Sequence, residues 1–386
     1  MASLSLPASH PNSIHPCLLN ACYLGACASN GGSLLTPFKP YFLLRTRQFL
    51  EHSLTFADRI TDFLWASLIL AVFYARERRL VECLTVAEGL VRLALACGLE
   101  FPGHSVEEDN SAYPVKYLLP PPNDHSESDD RVRLTYSIYV GSQAYTLLCE
   151  YPPILSCDEV WPPPILQEVE SHEHQEGKLP ASSQQLERSD LHFKVLVSNT
   201  FQRTMMFARY VTANNYYGLQ DEYVAIETQL RTQQALLPPP RDLHKPPIPP
   251  DAPSSSNASI ALGHVTLYGI GLILHSSLAT YHRESRAKMF ECLQGLVDIS
   301  AHIRDQKYSH LSIVNIFHIM NAVRVIAREL RGSKAKENAG LSISHCRSIE
   351  LLLDFLDDVI KSLPAWVEAP LALKETLEAA ANSLSI

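Results

Sequence analysis

Apolar residues recur at helical spacing along most of the chain, and this periodicity constrains the fold more than any other feature. Between Arg78 and Cys97 the apolar positions form one stripe, and Gly98 follows at the position typical of a helix C′ cap. Runs that alternate apolar and polar residues, as strands do, nowhere occur together. The predicted helices are 16–29, 40–55, 61–75, 78–97, 129–151, 191–217, 221–237, 264–281, 286–303, 311–331 and 346–363. The sequence therefore predicts an all-α protein.

Changes in composition divide these helices into two bodies. Residues 1–15 are expected to form a flexible N-terminus, and 16–166 a first helical body. Residues 167–190 are polar throughout, which predicts a linker. A second helical body is expected over 191–386, interrupted by a Pro-rich loop at 238–257 whose prolines exclude a regular element.

The net charge of −9 is concentrated in one part of the chain. Residues 100–190 hold 17 Asp and Glu against 5 Lys and Arg, a local net of −12 that leaves about +3 elsewhere. This balance argues against a phosphate-binding surface over most of the chain. Arg76, Arg78 and Arg79 alternate with acidic residues, so we expect them to form a salt-bridged surface rather than a nucleic-acid contact.

The nine cysteines and the apolar stretches indicate neither a metal site nor a membrane segment. Cys17, Cys22 and Cys27 are five positions apart, which is neither a C-x-x-C nor a zinc-knuckle spacing, so reduced thiols and no cofactor are expected. The apolar stretch at 18–28 lacks a preceding positive charge, and that at 63–75 is too short to cross a bilayer. No membrane association is expected.

Catalytic signatures are weak. Ser285 and Lys288 match the S-x-x-K of serine acyl enzymes, but the partner motifs S-D-N and K-T-G are absent. His172 and His174 lie in a polar tract without a third nearby ligand, which favours a solvated segment over a metal site. No G-x-S-x-G, Gly-rich phosphate loop or H-E-x-x-H occurs. We therefore do not expect an enzyme.

The segment 129–164 carries the most specific pattern. Asp129 and Asp130 are expected to cap a helix that Pro152 and Pro153 stop. Its order of residues resembles the fungal-specific transcription factor domain, the regulatory middle region of zinc binuclear cluster activators. There an Arg-rich helix start leads to a GRPP-like turn and an acidic loop. The positions that match this motif, and for which the resemblance implies a structural role, are Arg131, Arg133, Tyr139, Tyr145, Pro152 and Pro153.

The resemblance extends over most of residues 15–365. Residues 15–32 are similar to an early helix of that domain, and 225–238 to a later helix that ends in Leu-Pro. Residues 64–100 resemble its paired helices, which end in A-x-R-x-A-x-x-x-G-L. The matching residues, at shifted spacing, are Ala87, Arg92, Ala94, Gly98 and Leu99. The resemblance implies a large multi-helix regulatory domain with long irregular loops.

One departure from the family bears on function. No C-x-x-C-x6-C cluster occurs, so no DNA-binding residue is expected in this chain, and zinc is expected only if such a cluster precedes the sequence. The GRPP-like turn reads Cys149-Glu150-Tyr151 before its prolines, without the Gly and Arg. The resemblance implies a transcription regulator in the nucleus, whose partners are other regulators or coactivators, with a homodimer and a small-molecule effector as further candidates. The alternative hypothesis is a helical scaffold or adaptor without nuclear function.

Overall fold

The computed structural model describes residues 10, 13–29, 34–99, 117–148, 183–212, 215–240, 255–305, 313–334, 353–354, 357 and 368–382. None of these residues lies in a strand, and most lie in helices, which confirms the all-α prediction. The helices are α1 (Pro16–Ser29), α2 (Lys39–Phe56), α3 (Ile60–Arg76), α4 (Leu80–Ala96), α5 (His125–Leu148), α6 (Ser183–Tyr210), α7 (Gln220–Leu236), α8 (Ser255–Leu278), α9 (Arg283–Asp305), α10 (Ile313–Lys334) and α11 (Glu368–Asn382).

The chain divides into two compact units, residues 1–195 and 196–386, and the division lies inside α6. It is five residues from the predicted boundary. The last eight positions of the predicted linker, 183–190, belong to α6. Their Ser, Gln, Glu and Arg residues are compatible with a helix but form no apolar stripe, so periodicity did not reveal them.

Unit 1, residues 1–195, is built around α3. This helix packs against α1, α2, α4 and α5. Because it has neighbours on several sides, almost its whole circumference is apolar. The core that α3 forms with α4 and α5 includes Leu64, Leu68, Leu90, Val91, Ala94, Leu134, Ile138 and Tyr139. The 63–75 stretch is thus a buried core helix.

Three helices of unit 1 end in a residue with positive φ: Ala57 (50°) after α2, Arg78 after α3 and Gly98 after α4. Gly98, with φ of 77°, follows α4; its N–H donates to Leu95 O, and the N–H of Leu99 donates to Ala94 O. This is the Schellman arrangement, and the predicted C′ cap is confirmed. Arg78, with φ of 58°, closes α3 in the same way, although a side chain is strained there.

The predicted start of α5 was wrong. The helix begins at His125, and Asp124 rather than Asp129 caps it: Asp124 Oδ1 accepts a hydrogen bond from Glu127 N at 2.8 Å. Glu127 Oε2 in turn accepts from Asn123 N at 2.9 Å, as in a capping box. Asp129 lies more than a turn inside the helix, where a cap cannot act.

Unit 2, residues 196–386, is built around α8, which packs against α7, α9 and α10. Over Ser259–Leu278 this helix is long and apolar enough to cross a membrane, the one such helix in the described part of the chain, yet 61% of the stretch is buried inside the unit. A central core helix has the same composition because it is covered on several sides. Its core includes Val265, Leu272, Met289, Leu296, Ile319, Ala322 and Val323.

Several helix bounds in unit 2 differ from the prediction. α6 ends at Tyr210, before a short 3-10 turn at Tyr216–Leu219. α8 begins at Ser255, so the last three positions of the predicted 238–257 loop are helical, since its prolines end at Pro253. α11 was not predicted at all. Of the predicted 346–363 helix, only 353–354 and 357 are described, and they are helical.

Candidate functional site

Two of the four segments that carry the resemblance, 64–100 and 129–164, meet at the junction between α4 and α5. Arg131, in the second turn of α5, has a side chain only 13% exposed. Its Nη1 donates to Pro120 O at 2.6 Å and its Nη2 to Glu127 Oε1 at 2.5 Å. The guanidinium therefore fixes residues 117–120 onto the start of α5, with a carboxylate beside it as counter-charge.

The same residues 117–120 are fixed at their other end to α4. Leu118 N donates to Ala96 O at 3.0 Å. The Tyr117 ring covers Gly98, and a methyl group added at Gly98 would lie 2.7 Å from Tyr117 Cγ. The end of α4 and the start of α5 are thus held together by one short segment. We call the contacts of Gly98, Tyr117, Leu118, Pro120 and Arg131 the α4–α5 clamp.

The other motif residues of α5 have different environments. Tyr139 is fully buried among α3, α4 and α5. Tyr145 is also buried, and desolvation, together with Cys83, raises the pKa of its hydroxyl. Arg133 is one-third exposed and lies 4.0 Å from Asp130. Pro152 and Pro153 lie outside the described residues. Tyr139 and Tyr145 are therefore core residues, and Arg131 is the motif residue that joins two segments.

A buried polar cluster in unit 2 was not predicted. Tyr223 of α7 places its hydroxyl 3.4 Å from His275 Nδ1 of α8 and 3.3 Å from Ser285 Oγ of α9. Ser285 Oγ is also 2.8 Å from His282 Nδ1, which in addition accepts a hydrogen bond from Ser285 N. His282 therefore caps α9. Burial lowers the pKa of His275 to about 4, so its imidazole is neutral at pH 7.

An ion pair adjoins this cluster. Lys288 Nζ lies 2.6 Å from both Glu227 Oε1 and Glu284 Oε1. Burial opposes the charged form of Lys288, but the hydrogen bonds to both carboxylates outweigh it and raise the pKa of this lysine. Lys288 is therefore protonated and turned towards carboxylates, while Ser285 is fully buried. An S-x-x-K reaction needs a neutral lysine beside an accessible serine, so this geometry does not fit it.

Sequence reasoning missed the unit 2 cluster because its members are far apart in the chain. Tyr223 is separated from His275 by 52 positions and from Ser285 by 62. In the sequence Tyr223 is only one residue of the predicted helix 221–237. The one available local signal was the pair His282 and Ser285, whose three-residue spacing at a helix start is typical of a side-chain cap.

The three cysteines of α1 are not grouped as metal ligands would be. Cys17, Cys22 and Cys27 lie on one helix; Cys17 and Cys27 are buried, whereas Cys22 is exposed. Within the described ranges no three His, Cys, Asp or Glu side chains are grouped as metal ligands would be. The predicted linker histidines, His172 and His174, lie outside these ranges.

Of the three arginines at the α3–α4 turn, Arg79 forms a predicted ion pair, whereas Arg76 donates to the backbone oxygen of Ala28. Arg79 and Arg47 both pair with Glu82, and both guanidinium groups stack on Tyr74, with Cζ 4.8 Å and 5.4 Å from the ring centroid. Lys39 pairs with Glu77 at 2.9 Å. These cations lie against carboxylates and an aromatic ring of their own unit.

No family model matches the sequence, and neither a curated protein nor a solved structure matches it. The function must therefore be argued from the residues of this chain.

Proposed function

We propose that this protein is a transcription regulator that acts in the nucleus through a helical regulatory domain of the fungal transcription factor kind. The observation that carries the proposal is the α4–α5 clamp. The resemblance was noted in four segments, and the clamp involves two of them: Gly98 lies near the end of 64–100, and Arg131 lies near the start of 129–164. In the structure these two ends are joined through residues 117–120.

This arrangement supports the proposal because motifs of one domain should contact each other. Two motif positions have roles that other residue types fill poorly: Gly98 needs its positive φ, and Arg131 donates to two acceptors at once. Such packing positions fit a regulatory body, which works by changing its contacts with partners or effectors rather than by chemistry.

The proposed partners are other transcription regulators or coactivators, since no DNA-binding motif occurs in the sequence. A regulatory domain without a DNA-binding motif needs a partner protein that binds the promoter. A small-molecule effector and self-association are compatible with the same mechanism.

Deletion of the gene, combined with microscopy of a tagged chain, tests the proposal. We expect nuclear accumulation, altered transcript levels for a defined set of genes, and recovery of their promoters when the tagged chain is crosslinked to chromatin. Arg131→Ala, which removes the two hydrogen bonds of Arg131 in the clamp, should weaken the transcript response more than Arg133→Ala, which alters a surface pair.

Two results would contradict the proposal. Steady cytosolic residence without transcript changes would favour a scaffold or adaptor. Nanomolar, sequence-specific DNA binding by the purified chain in a gel-shift assay would contradict the dependence on a partner.

A further inference from the structure

A Ser/Thr-Pro dipeptide occurs at one place in this sequence. Of the 26 prolines, only Pro37 follows a Ser or Thr, and Lys39 stands two positions after it. The order Thr36-Pro37-Phe38-Lys39 is thus a hydroxyl residue followed directly by proline and, at the third position, by a basic residue. Proline-directed protein kinases of the cyclin-dependent class select this order in their substrates. We call residues 36–39 the Thr-Pro turn.

Both elements of this order have a physical reason. A residue before proline is biased towards extended backbone, which is the conformation in which a kinase cleft holds its substrate. Proline has no N–H, so it enters an apolar part of the cleft without leaving an unpaired donor there. The ammonium group of Lys39 can pair with a phosphate that an active kinase carries beside its cleft.

The Thr-Pro turn lies on the surface of unit 1. Residues Thr36–Phe38 form a 3-10 turn just before α2, and none of the three residues is buried as a whole. Leu35 and Phe38 are 43% and 51% exposed. The backbone hydrogen bonds that close the turn run from Phe38 N to Leu35 O at 3.0 Å and from Lys39 N to Thr36 O. Opening the turn therefore breaks few contacts and exposes little further apolar surface.

The Thr36 hydroxyl gains hydrogen bonds when the turn opens. In the closed turn its Oγ1 is buried and has no hydrogen-bond partner among the described residues. A buried hydroxyl in this state is destabilising, because it has given up its hydrogen bonds to water. Opening returns Oγ1 to solvent, which partly offsets the lost backbone hydrogen bonds. The same movement makes Oγ1 accessible to a kinase.

The start of α2 tolerates this opening. Pro40 is the second residue of α2, and proline is favoured at the first helical position because it has no N–H to satisfy there. The helix can therefore begin at Pro40 when Lys39 leaves it. Lys39 must also leave Glu77, whose carboxylate is 2.9 Å from its Nζ, but both side chains of this pair are partly exposed. Such a pair contributes little to stability.

We propose that Thr36 is phosphorylated by a proline-directed kinase. Its Oγ1 attacks the γ-phosphorus of ATP, and the bond from that phosphorus to the β-phosphate oxygen breaks. ADP leaves, and the hydroxyl proton passes to the catalytic Asp of the kinase. This modification is independent of the transcription proposal, since it requires only the folded chain and the kinase.

The phosphate would change the start of α2. This helix has no side-chain cap and no acidic residue in its first turn, so a doubly negative group just before it favours the helix. The first 50 residues contain no Asp or Glu, and the phosphate therefore brings the first negative charge into this part of the chain. Lys39 would then be shared between the phosphate and Glu77.

Incubation of the purified full chain with ATP and an active cyclin-dependent kinase tests the inference, and peptide mass spectrometry locates the phosphate. We expect one phosphate per chain, on Thr36, since no other Ser or Thr precedes a proline. Thr36→Ala and Pro37→Ala should abolish incorporation. Lys39→Gln should lower its rate several-fold, whereas Lys39→Arg keeps the charge and should retain most of it. The matched control is Thr85→Ala, at an exposed threonine that Val86 follows, and it should leave the rate unchanged.

A synthetic peptide of residues 30–45 separates the motif from its accessibility, because the peptide has no tertiary contacts. Phosphorylation of the peptide but not of the full chain would overturn the inference, since the turn would then stay closed. Equal incorporation into the Pro37→Ala chain would overturn it as well, since the kinase would then not be reading the proline. The tagged chain from growing cells should carry phosphate on Thr36, and its absence there would exclude the site.

Discussion

His318 of α10 lies directly against Gly269 of α8, and its imidazole occupies the space that a side chain at residue 269 would need. The ring is fully buried, its centroid is 4.8 Å from that of Phe201, and neither ring nitrogen has a hydrogen-bond partner among the described residues. The two helices approach closely at this point because one of them carries a glycine. The position thus combines tight packing with an unsatisfied polar group.

We expect Gly269→Ala to destabilise unit 2 by about 2 kcal/mol or more, because the new methyl group must displace a buried imidazole. The control is Gly89→Ala on α4, where an added Cβ meets nothing within 4 Å. That change should stabilise its helix by about 0.5–1 kcal/mol through propensity alone. Urea unfolding followed by circular dichroism measures both. Similar unfolding free energies for the two variants would contradict the packing at His318.

Local features of this fold could be predicted from the sequence. The stripe of α4 and the cap at Gly98 depend on residues within one helix, and both were correct. The sequence predicted α5 but not its start. The adjacent Asp129 and Asp130 suggested an N-cap, whereas the contacts at the N-terminus are made by Asp124 and Glu127. Local signals thus identify helices better than they fix helix ends.

Other features depend on propensity or on distant contacts. α11 is as amphipathic as α9 and α10, but it is shorter and rich in Ala, a strong helix former, and its pattern was overlooked in the sequence. The cluster of Tyr223, His275 and Ser285 joins three helices, and no window of sequence contains it. At the α4–α5 clamp, Arg131 could be selected by resemblance, but its acceptor, Pro120 O, is a backbone atom that no side-chain motif marks.

Acid should destabilise unit 2 well above the pH at which carboxylates titrate. Burial lowers the pKa of His318 to about 3 and that of His275 to about 4, against about 6.5 in an unfolded chain. Between the folded and the unfolded pKa the unfolded state binds more protons than the folded state. The stability that the neutral histidines contribute is therefore fully present above about pH 6.5 and is lost as the pH falls. At pH 5 each of the two histidines should lower the free energy of unfolding by about 2 kcal/mol relative to its value above pH 6.5.

Urea midpoints between pH 7.5 and pH 5 measure this loss. His318→Leu should flatten the pH dependence, whatever its effect at pH 7.5, because it removes the group that takes up the proton. Gly89→Ala, which changes no ionisable group, is the control and should keep the original slope. An unchanged slope for His318→Leu would show that this histidine has the same pKa in the folded and in the unfolded chain.

The cap of α5 gives a test of the corrected helix start. Asp124→Ala removes the acceptor for Glu127 N and should cost about 1 kcal/mol of unfolding free energy. Asp124→Asn keeps an acceptor and should cost much less. Asp130→Ala should change stability by only a few tenths of a kcal/mol, since it loses a surface pair at 4.0 Å. The reverse order for Asp124→Ala and Asp130→Ala would restore the start predicted from the sequence.

The thiols should differ in reactivity by position. Cys22 is exposed on α1, although partial desolvation and Asp62 raise its pKa too; Cys17 and Cys97 are buried, and burial raises their pKa values to about 12 and about 11. Because the thiolate is the reactive form, a maleimide or iodoacetamide at pH 8 should modify Cys22 first and leave the other two unmodified until the chain unfolds. Peptide mass spectrometry after timed labelling resolves each residue. Urea at a denaturing concentration serves as the control and should equalise the three rates. Modification of Cys17 as fast as Cys22 in native buffer would mean that the start of α1 is not held against α3 as the structure has it.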